Sequence, residues 1–214
     1  MFSIYKGLNS SKNIRLFKNP VLEQLSYVHP LVPALIFVPV VAWCLSRATD
    51  ITPSARALAW LAGLAIWTLT EYSLHRFVFH FPAKSKMGKY LVFLFHGVHH
   101  DDPEDARRLV MPPIAGIALA YAFYRFFGVV LGHAILPPFF GGFITGYLCY
   151  DYIHYYVHHF TPRTAVGKFL KQYHMLHHFV TPNARFGVSS PLWDLVVEAT
   201  APRPRQPRKG RKGA

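Results

Sequence analysis

His96, His99 and His100 stand at i, i+3 and i+4, a spacing that places three imidazoles on one face of a helix. His174, His177 and His178 repeat that spacing, and two pairs, His75/His80 and His154/His158, accompany them. Histidine is the commonest metal ligand. An i, i+3, i+4 triplet can grip two adjacent ions, two rings reaching one and the third the other. The i, i+4 pair His154/His158 can share an ion or hold two neighbours. His75 and His80, five apart, lie about 140° apart around an α-helix, so they are expected to touch two ions rather than share one. Ten histidines then divide into about five for each of two ions.

One structural zinc closes at four ligands and does not need ten histidines. Two nitrogen-ligated ions held together fit redox chemistry with dioxygen, and imidazole suits iron among other metals. Iron is the expectation for the active protein, with zinc able to occupy the same ligands in a purified sample. Glu71, four before His75, and Asp151, three before His154, are expected to accept from the second ring N–H of those ligands. Asp101 and Asp102 are expected to face water or a basic neighbour. His29 and His133 read as isolated interfacial residues. His159 points about 100° away from His158 and is left outside the ligand set.

The elements that must position these rings are apolar. Of the 214 residues, 52% are hydrophobic, and they are bunched rather than spread. Spans are expected near residues 31–46, 57–74, 111–131 and 139–156, with Arg125 of the third reaching for the headgroups. Residues 1–27, with Lys6, Lys12, Arg15 and Lys18, read as a basic cytosolic arm or an interfacial helix. Residues 28–200 read as one membrane domain with a cap, and 201–214 as a disordered basic tail. The net charge of +13 sits between the apolar runs and at the end of the chain, the way membrane proteins mark their cytosolic side. No nucleic-acid recognition motif accompanies it, so nucleic acid is excluded as a partner. The connector between the third and fourth spans has no Lys or Arg, which places both termini and every paired histidine in the cytosol; the Arg47–Arg56 connector runs against that pattern. Cys44 and Cys149 read as small buried hydrophobes without a disulfide, and no signal peptide is evident. The fold class is therefore all-α integral membrane: four transmembrane helices in two hairpins, and a cytosolic helical cap holding a histidine-rich dimetal centre. A metal transporter would carry ionisable residues at the midplane of its spans, where this chain has almost none.

The motifs around the histidines resemble the fatty acid hydroxylase superfamily of integral-membrane di-iron enzymes, and within it the fatty acid 2-hydroxylases. They are Glu71-Tyr72-Ser73-Leu74-His75-Arg76-Phe77-Val78-Phe79-His80, Phe95-His96-Gly97-Val98-His99-His100 and Arg108-Leu109-Val110-Met111-Pro112-Pro113. Later in the chain come Tyr150-Asp151-Tyr152-Ile153-His154-Tyr155-Tyr156-Val157-His158, His174-Met175-Leu176-His177-His178-Phe179, Phe186-Gly187-Val188-Ser189 and Leu192-Trp193-Asp194. The resemblance implies hydroxylation of an acyl chain at the carbon next to its carbonyl, with dioxygen and two external electrons. It places the metal ligands on His75, His80, His96, His99, His100, His154, His158, His174, His177 and His178, leaving their division between the ions open. A sterol, carotenoid or wax-type oxidase of the same superfamily is the alternative.

Relatives of this kind often carry a fused cytochrome b5 domain, and only about 27 residues precede the first span here. A separate electron donor, cytochrome b5-like or ferredoxin-like, is therefore expected on the basic cytosolic face. The acyl substrate, whose carrier stays open, is expected to arrive from the bilayer along a path lined by Trp193, Phe186 and Tyr155. A bacterial inner membrane is favoured over the endoplasmic reticulum, and the oligomeric state is left open.

Overall fold

The computed structural model describes residues 14–200, all helical or irregular. The first part of the basic arm, with Lys6 and Lys12, and the tail 201–214 lie outside the described residues. In order, the helices are α1 (Pro20–Leu25), α2 (Val32–Ser46), α3 (Pro53–Leu74), α4 (Lys86–Val92), α5 (Val98–Asp101), α6 (Pro113–Val130), α7 (Leu136–His159), α8 (Ala165–Phe179) and α9 (Leu192–Thr200). Two π-helical turns, His75–Phe79 and Phe93–Gly97, join α3 to the cap and α4 to α5. Local chemistry sets several starts. Thr52 caps α3 ahead of Pro53, Ser85 caps α4, and Thr164 caps α8, each side chain accepting a first-turn backbone N–H.

Helix α7 is the axis of the bundle, with most of its first half buried. Its closest neighbour is α3, and glycine is what permits the approach. A Cβ on Gly63 of α3 would stand 1.9 Å from the Phe139 carbonyl oxygen, and one on Gly142 of α7 would stand 1.9 Å from that of Trp60. Small residues let helix backbones touch in this way. Trp67 fills the next turn, edge-on to Phe143 at 5.1 Å and to Tyr147 at 5.4 Å. This pair carries Glu71 in the last turn of α3, with His75 just past it, and His154 and His158 in the last turns of α7, on the same side.

The four expected spans coincide with α2, α3, α6 and α7 to within a few residues. Among the described residues only α6 is both long and apolar enough to cross a membrane; α2 is apolar but has 15 residues. The 18 residues of α6 rise about 27 Å, close to a bilayer's hydrocarbon thickness. Its Ile114, Ile117, Phe126 and Val129 face outward, and Arg125 donates to the Tyr121 hydroxyl one turn back. Cys44 is buried, but Cys149 is exposed and not the buried hydrophobe expected. Five residues past Ile144, the helical step has carried it to the outer face.

The N-terminal arm folds onto the cap. Val28 N–H donates to the Arg107 carbonyl, and the Arg108 guanidinium lies 2.5 Å from Glu23 and over the Tyr27 ring. With its side chain 4% exposed, Arg108 of the Arg-Leu-Val-x-Pro-Pro motif is a structural tie between α1 and the start of α6.

Candidate dimetal centre

The ten histidines converge in two groups of five. His75, His80, His96, His100 and His177 form one; His99, His154, His158, His174 and His178 form the other. Each triplet straddles both groups, as the i, i+3, i+4 spacing allows. His96 and His100 go one way and His99 the other; His174 and His178 go one way and His177 the other. The groups are neighbours, with the His100 and His178 rings stacked at 4.2 Å.

His75 and His80 fall in the same group, against the expectation that they would reach two ions. That expectation assumed 3.6 residues per turn. The chain instead makes a π-helical turn over His75–Phe79, closed by His80 N–H to the His75 carbonyl. Its i to i+5 hydrogen bond brings residues five apart back to one side. The second π-turn, Phe93–Gly97, carries His96 into the same group.

Separations between ring nitrogens test the fit to a metal. Nε2 of His96 is 3.0 Å from those of His75 and His100, and His80 is 3.1 Å from His177. In the other group His99 is 3.0 Å from His154 and 3.1 Å from His178, while His174 is 2.9 Å from His158 and 3.0 Å from His178. With a metal–nitrogen bond of about 2.1 Å, ligands at right angles stand about 3.0 Å apart and tetrahedral ones about 3.4 Å. Five neutral nitrogens at near-right-angle spacing fit an ion of more than four ligands and do not fit a closed tetrahedral zinc. The residues present therefore fit two ions, one per group.

Burial keeps these rings uncharged. It pushes His80 down to about 4 and His100 down to about 3, helped in each by the neighbouring His177, so their lone pairs are available at neutral pH. In the unfolded chain the same rings titrate near 6.5. Below that value the unfolded state takes up protons the folded state refuses, and stability falls with pH; above it both states are neutral and stability is flat. Metal-free protein is accordingly expected to lose thermal stability as the pH drops from about 7 to about 5 and to hold it from about 7 to about 8. A melting series in chelator checks this, and an unchanged melting temperature across the lower interval would contradict it.

Two rings are aimed by backbone carbonyls. His75 Nδ1–H donates to the Phe186 carbonyl at 2.5 Å, and His177 Nδ1–H to that of Ala184 at 2.7 Å. Such partners fix the tautomer and turn Nε2 inward. Both carbonyls belong to one tight turn around Arg185, whose φ of 61° lies in the left-handed region, a strained conformation that persists only where its surroundings enforce it. Two buried carboxylates do the enforcing. Asp194 accepts Phe186 N–H at 2.9 Å and Gly187 N–H at 2.8 Å. Glu71 accepts Val188 N–H at 2.7 Å, Ser189 N–H at 2.8 Å and the Ser189 hydroxyl.

Glu71 therefore does not bond His75 as expected but holds the loop that does. Asp151 likewise takes the Tyr147 hydroxyl, at 3.0 Å, while His154 Nδ1 has no partner among the described residues. Glu71 thus turns to the loop after α8, and Asp151 turns back one turn along α7 to Tyr147 instead of forward to His154. Asp194 was missed; the one signal for it was its place in Leu192-Trp193-Asp194. Asp101 is exposed, but Asp102 is buried. His159 lies outside both groups, its ring 4.6 Å from Tyr155. His29 closes a local turn to Leu31 N–H, and His133 is exposed.

An apolar cavity of about 310 Å³ reaches His96, His99 and His154, and so touches both groups. Its walls come from α1, the second π-turn, the start of α6, and α7. Trp193, Phe186 and Tyr155 do not line it. Phe186 packs against the rings of His75, His80 and His177. Trp193 ties α9 to α3 through Thr68, and Tyr155 packs beside Val28 and Leu109. Tyr155 thus stands behind Leu109 and Val110, which do line the cavity.

A sequence profile of the fatty acid hydroxylase family matches residues 60–199, which hold all ten histidines and both carboxylates of the loop clamp. The chain belongs to the fatty acid hydroxylase family. This hydroxylase is 38% identical to a dihydroceramide fatty acyl 2-hydroxylase of Arabidopsis thaliana, over 96% of its own length and 87% of the plant protein's. It is 36% identical to the ceramide very long chain fatty acid hydroxylase scs7 of Schizosaccharomyces pombe, over 92% of this chain and 57% of the yeast protein. Its fold matches the solved structure of full-length scs7p, of which only the hydroxylase domain is visible. That match has a TM-score of 0.81 and 35% identity, covering 85% of this hydroxylase and 70% of that chain. Relatives from a plant and a yeast lend no support to the bacterial inner membrane expected for the hydroxylase.

Proposed function

We propose that this hydroxylase inserts one oxygen atom from dioxygen into an acyl chain at the carbon next to the carbonyl. The observation that carries the reading is the apolar cavity ending on histidines of both groups: a hydrocarbon substrate has a dry route to the only chemistry the site offers. The position of attack follows the plant relative, named as a fatty acyl 2-hydroxylase.

In this reading the ten histidines hold two iron ions, which when bound supply the activation of dioxygen. The chain's own residues do the rest. Neutral imidazoles present their Nε2 lone pairs; the Ala184 and Phe186 carbonyls hold two of those rings in one tautomer; Glu71 and Asp194 hold the carbonyls. Apolar walls keep water from the reacting carbon, so the oxidising equivalents are spent on the acyl chain. The two electrons come from a redox donor, cytochrome b5-like or ferredoxin-like, meeting the basic cytosolic face.

Helices α2, α3, α6 and α7 cross the bilayer as two hairpins, with the cap and both chain ends in the cytosol, and residues 28–200 act as one unit. The outward apolar side chains of α2, α3 and α6, among them Leu35, Val38, Leu58 and Leu61, support that placement. Expression in a host without 2-hydroxylated lipids tests the function. New 2-hydroxy acyl chains, labelled from isotopic dioxygen, are the expected result. Altered sterols or carotenoids with an unchanged acyl pool would replace this reading with the alternative activity. Iron in the anaerobically purified active protein is expected; full activity with zinc alone would remove iron.

A further inference from the structure

Met111 lines the cavity that reaches the histidines. It also walls a second pocket of about 30 Å³ between α2, α3, α6 and α7. That pocket in turn shares Phe37 and Ala120 with a groove of about 430 Å³ between α2, α6 and α7. These shared walls make the three spaces neighbours, the first against the metal-ligand histidines and the other two among the bundle helices. Past Met111 their walls are almost wholly hydrocarbon and aromatic, so only an apolar occupant is accommodated.

The two residues at the narrow point differ in how far they can give. Phe37 is held edge-on against Tyr147 at 5.2 Å, and the Tyr147 hydroxyl is itself bonded to Asp151. Met111 is half-buried, and its unbranched side chain has three rotatable bonds. Gly116 sits between them. A Cβ there would lie 3.6 Å from the Phe37 ring and 3.9 Å from Met111 Sδ, ordinary contacts at an unremarkable backbone angle. Unlike Gly63 and Gly142, this glycine is not demanded by backbone contact, yet in the interior of a helix it costs stability relative to alanine. What it preserves is the open space on the far side of Met111.

Resting on the acyl 2-hydroxylase reading, we propose that the acyl tail threads past Met111 into the second pocket and the groove beyond. Met111 and Gly116 together set the longest chain accepted. The hydrocarbon tail of the substrate is the occupant because the side chain of Met111 lines both the cavity at the metal ligands and the apolar pocket behind it.

The test gives the full-length, metal-loaded enzyme an equimolar ladder of saturated acyl substrates and reads the chain lengths of the 2-hydroxy products. Met111→Ala is expected to shift the distribution to longer chains, and Gly116→Leu to shorter ones. Each shift should amount to about fourfold per methylene passing the narrow point, the factor that burial of one CH₂ supplies. Gly116→Ala, a mild change in a helix, should move the distribution the same way as Gly116→Leu but less. Unmoved distributions in variants that retain their metal would overturn the ruler and leave the activity standing. So would a shift produced instead by Ile114→Trp at the outward edge of the cavity, because the tail would then lie in that mouth. A wild-type enzyme that forms no 2-hydroxy product from any chain would remove the activity reading and the ruler with it.

Discussion

Alanine in place of His99 is expected to abolish hydroxylation and to leave the protein with about one metal ion per chain instead of two. His99 is 5% exposed, and its Nε2 stands 3.0 Å from His154 and 3.1 Å from His178, two of the four rings that share its group. It also lines the apolar cavity. Losing it opens one metal position at the wall where substrate arrives. Loss of even a supporting partner of a metal ligand typically costs 10–100-fold, so loss of the ligand should exceed that range. The other group, His75 with its four partners, keeps all five rings, which is why one ion is expected to remain. Metal analysis with product assay checks both halves. A His99→Ala protein with two ions and undiminished product would take His99 out of the ligand set.

Asp194→Ala comes second in expected effect, although Asp194 touches no histidine. Its carboxylate, 3% exposed, is the acceptor for the Phe186 and Gly187 N–H groups. Removing it orphans two buried donors and releases the turn that presents carbonyls to His75 and His177. Hydrogen bonds to a charged acceptor contribute about 1.5–3 kcal/mol each, so a stability loss of about 3 kcal/mol or more is expected. Activity should fall about 10–100-fold. The ion held by the His75 group should be the one lost, since both carbonyl-bonded rings belong to it. Asp194→Asn, which keeps the shape and one acceptor, should recover part of both. Equal loss of the two ions, or intact activity in Asp194→Ala, would show that the turn does not aim those rings.

Much of the site was legible because histidine spacing carries geometry. The i, i+3, i+4 triplets need only an α-helix to split three rings between two neighbouring positions, and the ten residues picked out by spacing are the ten that converge. The apolar runs were legible for the same reason: hydrophobic bunching over 15 to 24 residues fits few structures other than a long helix. One expectation failed because it assumed ideal helix geometry. His75 and His80 share a group because the chain leaves the α-helix for a π-turn, which nothing in His-Arg-Phe-Val-Phe announces. Glu71 and Asp151 are in the right place along the chain but face other partners, since side-chain direction depends on what packs against each helix.

The sequence by itself picked out the ten histidines and the helices that carry them, because these depend on spacing within a few residues. Tertiary structure alone decided which rings join which group, which carbonyls aim them and where the apolar cavity runs. Those depend on Phe186, 111 residues from His75, on Val188, 117 residues from Glu71, and on glycines that let α3 and α7 touch. Contacts between residues so far apart arise only when the chain closes on itself, and no local spacing encodes them.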